Sequence, residues 1–139
     1  MEQRWLTAKI KHEGFPRYLR KPDYKDIWIL RDKFPVLLTV THKLRKVDAN
    51  GIPDPDYNES LGEFDNQMTR LLRQENEGVI ALVETFGGER NYYYFVTDKI
   101  DYEEKIKRIK ETNKDVELEI HSRTDKDWDF IKQYPTKLY

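Results

Sequence analysis

The chain has 139 residues, of which 37% are hydrophobic and 37% charged, a balance that supports one domain with a thin core under a heavily charged surface. It has no cysteine, which excludes disulfides, thiolate metal sites and a cysteine nucleophile. Net charge is −1, but residues 1–46 hold 12 Lys and Arg against 5 Asp and Glu, so a basic N-terminal third either neutralises the acidic remainder within the fold or offers a contact surface to an acidic partner.

The opening MEQRWLTAKIKHEG has no long apolar run and so predicts no signal peptide. No stretch approaches the roughly 18 apolar residues of a membrane helix. A cytoplasmic protein is the expectation. Residues 4–11 alternate, with Leu6, Ala8 and Ile10 opposite Trp5, Thr7 and Lys9, as in a half-buried strand. His12-Glu13-Gly14 turns it, and Phe15 to Arg20 return as a second strand. Pro16 lacks an amide hydrogen, which places this return at a sheet edge. Residues 24–34 (YKDIWILRDKF) read equally as a short helix or an extended segment, with Ile27, Trp28, Leu30 and Phe34 at least partly buried.

Residues 35–45 (PVLLTVTHKLR) are the clearest central strand, with Val36, Leu38, Val40 and Leu44 on one face and Leu37, Thr39 and Thr41 on the other. A loop rich in Asp, Gly and Pro follows, VDANGIPDPDYNE. The spacing of Leu61, Phe64, Met68, Leu71 and Leu72 predicts one helix over 61–76, with Ser60 and Glu63 as its capping box and Gly78 as its C-terminal cap.

Two apolar runs then flank Gly87-Gly88, a hairpin signal. Strict alternation puts Val79, Ala81 and Val83 on one face of the first strand and Ile80, Leu82 and Phe86 on the other. In the second strand Tyr93 and Phe95 oppose Tyr92, Tyr94 and Val96. A helix over 99–111 buries Ile100, Tyr102, Ile106 and Ile109, with Asp98 as N-cap and Asn113 as its stop. Residues 116–121 (VELEIH) form a last strand with Val116, Leu118 and Ile120 inward. In the tail, Asp125 or Asp127 starts a short helix docked by Trp128 and Ile131 and ended by Pro135.

From Pro35 the order is β-α-β-β-α-β, the split βαβ, ferredoxin-like arrangement. The expected molecule is a single α+β domain. Residues 1–34 form an N-terminal β extension, residues 35–123 an antiparallel sheet with two helices on one face, and residues 124–139 a tail helix.

The string Asp125-Lys126-Asp127-Trp128-Asp129-Phe130 with Tyr134-Pro135 resembles the closing box of a bacterial family known as domain of unknown function six hundred and ninety-five. The Gly51-Ile52-Pro53 loop before Leu61 and Phe64 agrees with it. So does the Gly88-Glu89-Arg90 turn that feeds Tyr92-Tyr93-Tyr94-Phe95. The resemblance covers most of residues 24–135 and transfers no catalytic residue. It is similar in architecture to the regulator-B inhibitors of ribonuclease E, which act by binding an enzyme, so it implies a fold and, by analogy, a binding role.

Sites for chemistry are sparse. His12, His42 and His121 share no i, i+4 spacing, and each is expected at the surface. Asp125, Asp127 and Asp129 begin like a calcium loop but lack its glycine and its closing glutamate, so helix capping is the better reading. There is no phosphate-binding loop and no dinucleotide fingerprint. No catalytic, metal or cofactor residue is assigned, and no cofactor is expected. Arg90 at the strand entrance either pairs with Glu84 or Glu89 or binds a partner's acidic group.

The leading expectation is a non-catalytic binding or regulatory module that acts through protein–protein contacts. Its candidate contact residues are Arg90, Tyr92, Tyr94, Trp128, Arg17, Arg20 and Lys21. One alternative is single-stranded RNA stacked on Tyr92 and Tyr94, if an open sheet face bears them. Nucleic acid is not the expected partner, and packing under the N-terminal hairpin or the tail, beside Trp5 or Trp128, is the favoured placement of these rings. The other alternative is a hydrolase or transferase, which needs a pocket with two convergent carboxylates. The edge strands are open to pairing in a homodimer.

Overall fold

The computed structural model describes residues 4–73 and 76–134. Six strands form one antiparallel sheet: β1 (Trp5–His12), β2 (Phe15–Pro22), β3 (Val36–Lys43), β4 (Gly78–Phe86), β5 (Glu89–Val96) and β6 (Glu117–Thr124). Their order across the sheet is β1-β2-β4-β5-β3-β6. Three α-helices, α1 (Pro55–Ser60), α2 (Gly62–Thr69) and α3 (Tyr102–Thr112), join short 3-10 turns at Ile27–Leu30 and Ile131–Gln133. The fold is therefore α+β. No helix among the described residues is long and apolar enough to cross a membrane.

Both faces of the central strands β3, β4 and β5 are covered. On one, α2 and α3 lay Phe64, Met68 and Ile106 over Leu38, Val40, Tyr92 and Tyr94. On the other, Ile27, Phe34, Trp128 and Ile131 cover Leu37, Tyr93 and Phe95. Central strands with apolar residues on both sides require this double cover, since either face left bare would expose a large apolar patch.

Several expectations are corrected. The return strand β2 is not an edge, because it lies between β1 and β4. Pro16 sits opposite Lys11, beyond the short register in which Tyr18, Leu19 and Arg20 meet Thr85, Glu84 and Val83. Its missing amide interrupts no bond of that register. The helix expected over 61–76 is two short helices that meet at Leu61. Pro55 starts the first, and its fixed φ suits a first helical position. Ser60 is thus already inside helix, and its hydroxyl donates back to the Tyr57 carbonyl instead of capping. The second helix ends at Thr69, and Gln74 and Glu75 lie outside the described residues. Gly78 opens β4 rather than capping a helix. A Cβ there would sit 2.5 Å from the Phe95 carbonyl oxygen, so packing against β5 demands glycine.

Helix α3 begins one turn later than expected, with Asp101 and not Asp98 accepting from the Glu104 amide. The tail makes a turn and a 3-10 segment, and Asp125 accepts from the amides of Asp129 and Phe130 at 3.1 Å. Pro135 lies outside the described residues. Ile120, expected inward, is exposed on the edge strand β6.

The alternation of β4 breaks at Ala81. Ile80 pairs with Tyr94 and Leu82 with Tyr93, so one extra residue bulges out. Leu82 therefore joins the tail face and Val83 the helix face, the reverse of simple alternation. The same slip puts Glu84 under the tail and Thr85 on the helix side, opposite Arg90.

The loop before α1 is clamped onto the β4–β5 turn. The Gly88 amide donates to the Gly51 carbonyl at 3.0 Å, and the Leu44 amide to the Gly88 carbonyl at 2.9 Å. Gly51 has φ +78°, and a Cβ on it would meet the Gly88 nitrogen at 2.8 Å. Gly51→Ala is expected to destabilise by about 2 kcal/mol from strain and displaced backbone. A urea midpoint equal to that of the wild type would contradict the clamp.

Candidate functional site

The helix layer stops short of the N-terminal hairpin. Thr7 pairs with Arg20 and Lys9 with Tyr18, and these four face α1 and α2 across a cleft of about 710 Å³. Ile52 and Pro53 of the clamped loop and Pro55 at the start of α1 form its rim. Asn58, Gly62 and Asp65 project from α1 and α2, and Thr85 and Arg90 form the floor.

Asp65 is the hub of the polar groups. Both its oxygens accept from Arg20, at 2.7 and 2.9 Å, a bidentate pair. The Tyr92 hydroxyl donates to it as well, at 2.7 Å. Burial alone would raise the Asp65 carboxyl; the bonds and charge of Arg20 and the Tyr92 hydroxyl outweigh burial and hold it below the usual range. Burial, and then the Asp65 charge, push the Tyr92 phenol far upward. Arg20 also lies 5.6 Å over the Trp5 ring.

Arg90 is 7% exposed. Its Nε donates to the Thr85 hydroxyl at 2.9 Å and its Nη2 to the Asn58 side-chain oxygen at 2.8 Å. It forms no ion pair among the described residues, so the first of the two readings left open for it, pairing with Glu84 or Glu89, does not occur. The bulge is the reason: it turns Glu84 to the opposite face. There Glu84 accepts from Arg17 at 2.5 Å and from the Tyr93 and Tyr134 hydroxyls at 3.1 Å. Arg17 in turn lies 5.1 Å over the Tyr134 ring. Glu84 anchors the tail; it does not face the cleft.

His42 departs from the surface position expected for it. It is 1% exposed, edge-on to Phe64 with ring centroids 5.0 Å apart, and its Nδ1 has no hydrogen-bond partner. Burial, followed by the charge of Arg90, lowers its pKa to about 4, against an opposing pull from Asp65. A histidine held neutral in the fold binds a proton more readily once unfolded, so stability falls as pH drops below about 6.5 and levels off near pH 4. Between pH 7.5 and 5 the loss is expected to be about 2 kcal/mol. His42→Phe should remove most of this slope in urea titrations, and an unchanged slope would count against the buried neutral imidazole.

The candidate contact residues separate into three groups. Arg90 and Arg20 meet in the cleft. Arg17 lies on the other face at Glu84. Lys21, Tyr92, Tyr94 and Trp128 are buried, the last three at 0% exposure, and present no surface to a partner. Tyr92 and Tyr94 pack under α2 and α3, with Trp5 beside the same cluster, while Trp128 belongs to the opposite face. The Tyr94 hydroxyl donates to the Met68 carbonyl at 2.5 Å, closing the end of α2. The open tyrosine face that base stacking requires is therefore absent from the described residues, and the cleft brings in one carboxylate, Asp65, not a convergent pair. No group of three or more His, Asp or Glu among the described residues is placed to hold a metal ion.

Asp65, Asn58, Thr85 and Glu84 are not marked by sequence pattern as site residues. Glu84 alone leaves a signal, as a charge inside an otherwise apolar strand. Asp65 looks like any outer-face helical acid until Arg20, 45 positions away, is seen to meet it.

The model of a family described as "Family of unknown function (DUF695)" matches residues 28–135. No curated protein and no solved structure matches the chain.

Proposed function

The chain belongs to the DUF695 family, and from its own geometry we propose that it is a non-catalytic binding module that acts through protein–protein contacts, with the cleft beside the N-terminal hairpin as its docking surface. The observation that carries this reading is the charge of the cleft. Lys9, Arg20 and Arg90 line it against the single carboxylate Asp65, which suits an acidic segment of a partner protein. The walls are preformed by the clamped Gly51–Pro53 loop and by α2, which Tyr92 and Tyr94 bolt to the sheet, so a segment can dock with little reordering of the protein. The inner strands β4-β5-β3-β6, with α2 and α3 over one face, support reading this scaffold as ferredoxin-like with a β-hairpin extension.

Gly62 gives a direct test. It lines the cleft, and a Cβ built on it meets nothing within 4 Å. Gly62→Trp should therefore fill the cleft without disturbing the core. Linear peptides selected on the wild type from a random display library are expected to be rich in Asp and Glu and to bind Gly62→Trp at least about tenfold more weakly. Selected peptides that lack acidic residues, or that bind both proteins equally, would overturn the proposal.

A further inference from the structure

Taking the docking role of the cleft as given, we infer that Arg90 is the seat for one carboxylate side chain of the acidic partner segment. The two guanidinium groups of the cleft are not equivalent. The fork of Arg20 is filled by Asp65 in bidentate geometry. Arg90 bonds only neutral groups, Thr85 and Asn58, and its Nη1 makes no hydrogen bond among the described residues. That nitrogen is also not among the buried atoms without a partner, so it keeps accessible surface on a side chain that lines the cleft.

A guanidinium does not shed its proton when buried. At 7% exposure Arg90 has given up most of its hydration without gaining a counter-ion of its own. Asp65 is near enough to feel the Arg90 charge, but no hydrogen bond joins the two. His42 is neutral and adds no negative charge, and Asp65 is committed to Arg20 and Tyr92. A planar carboxylate entering the cleft meets Nη1 directly and can take Nη2 from Asn58, which sits on the exposed surface of α1. A dianionic phosphate fits less well, because Asp65 lines the same cleft and repels the second charge.

The same geometry supplies an internal competitor. Asn58→Asp would place a carboxylate on Nη2 of Arg90 and occupy the seat from within. In wild type, sodium acetate at constant ionic strength is expected to give a saturable shift of the Arg90 Nε–H nuclear magnetic resonance signal. In Asn58→Asp that shift is expected to vanish, while the thermal midpoint stays at or above that of wild type. A wild-type shift reproduced by chloride alone, an Asn58→Asp shift as strong as wild type, or tighter binding of inorganic phosphate than of acetate would each overturn the seat. The display-selected peptides separate this inference from the docking reading. They should bind Asn58→Asp at least about tenfold more weakly. Peptides excluded by Gly62→Trp but retained by Asn58→Asp would leave the cleft as the docking surface and remove Arg90 as its anchor.

Discussion

Trp128→Ala is expected to lose about 3–5 kcal/mol of stability, the range for truncating a fully buried Trp. Trp128 stacks on Phe95 with ring centroids 4.2 Å apart and 14° between planes, and its Nε1 donates to the Phe34 carbonyl at 2.8 Å. It touches Trp28 as well, at 5.9 Å. One side chain thus joins the tail, the 3-10 turn and the sheet. Its backbone has φ +55°, a conformation that bulky residues rarely adopt. Packing and the indole hydrogen bond must offset that strain, so truncation removes the compensation together with the contacts. A domain of this size has about 5–15 kcal/mol in total, and the alanine variant can fall below the threshold for folding. Trp128→Phe retains the stack on Phe95 and gives up the indole bond and part of the volume, for an expected loss of about 1–2 kcal/mol. Urea midpoints with an unchanged m-value would measure both. A loss under about 1 kcal/mol for the alanine variant would mean that the tail does not cover the sheet in solution.

Asp65→Ala is the second large expected effect, about 2–4 kcal/mol. Removing one member of a largely buried ion pair leaves the other charge uncompensated. Here it strands Arg20 and also the Tyr92 hydroxyl, which has no other hydrogen bond among the described residues. Partial exposure of Arg20 keeps the cost below that of a fully buried pair. The pH dependence has a definite sign. The folded-state pKa of Asp65 is depressed, so its contribution is complete above the unfolded value near 4 and disappears as pH falls through the lower folded value. Asp65→Ala should therefore remove the Asp65 contribution below about pH 4, while the His42 slope below about pH 6.5 stays and, without the Asp65 charge, extends to lower pH. Replacing Arg20 and Asp65 together by leucine should recover much of the loss. A double variant as unstable as the sum of the single ones would show that the pair is not coupled.

These two experiments probe the scaffold, and the cleft depends on it. Asp65 holds Arg20 against the hairpin wall and ties Tyr92 of β5 to α2. Without that hub Arg20 of the hairpin wall and Tyr92 of β5 both lose their side-chain bonds to α2. The Asn58→Asp and Gly62→Trp variants leave the hub intact and so test binding separately from folding.

Much of the architecture is legible in local pattern. The assignment of Val36, Leu38 and Val40 to one face of β3 and Leu37 to the other follows from the two-residue period, with both faces packed. The split of Tyr93 and Phe95 from Tyr92 and Tyr94 follows from the two-residue period of a strand. The stripe of Ile106 and Ile109 and the stop at Asn113 follow from the helical period and its termination. Asp125 does bind free backbone amides as a short acidic side chain at a chain reversal can, but it braces the turn before the 3-10 segment, whose own N-cap is Phe130, and starts no helix. In each case a contact a few residues away or one face of one element decides the outcome, and the information is contained in a short window.

What no window contains is the partner. The bulge at Ala81 arises from pairing with Tyr93 and Tyr94, and it alone determines that Glu84 anchors the tail while Thr85 joins Arg90 in the cleft. The burial of His42 depends on Phe64, and the role of Asp65 depends on Arg20 arriving from the hairpin. Periodicity assigns each residue to a side of its own strand or helix. It cannot count an extra residue inserted by a neighbouring strand, and it cannot say which charges from distant segments will converge once both faces of the central strands are covered.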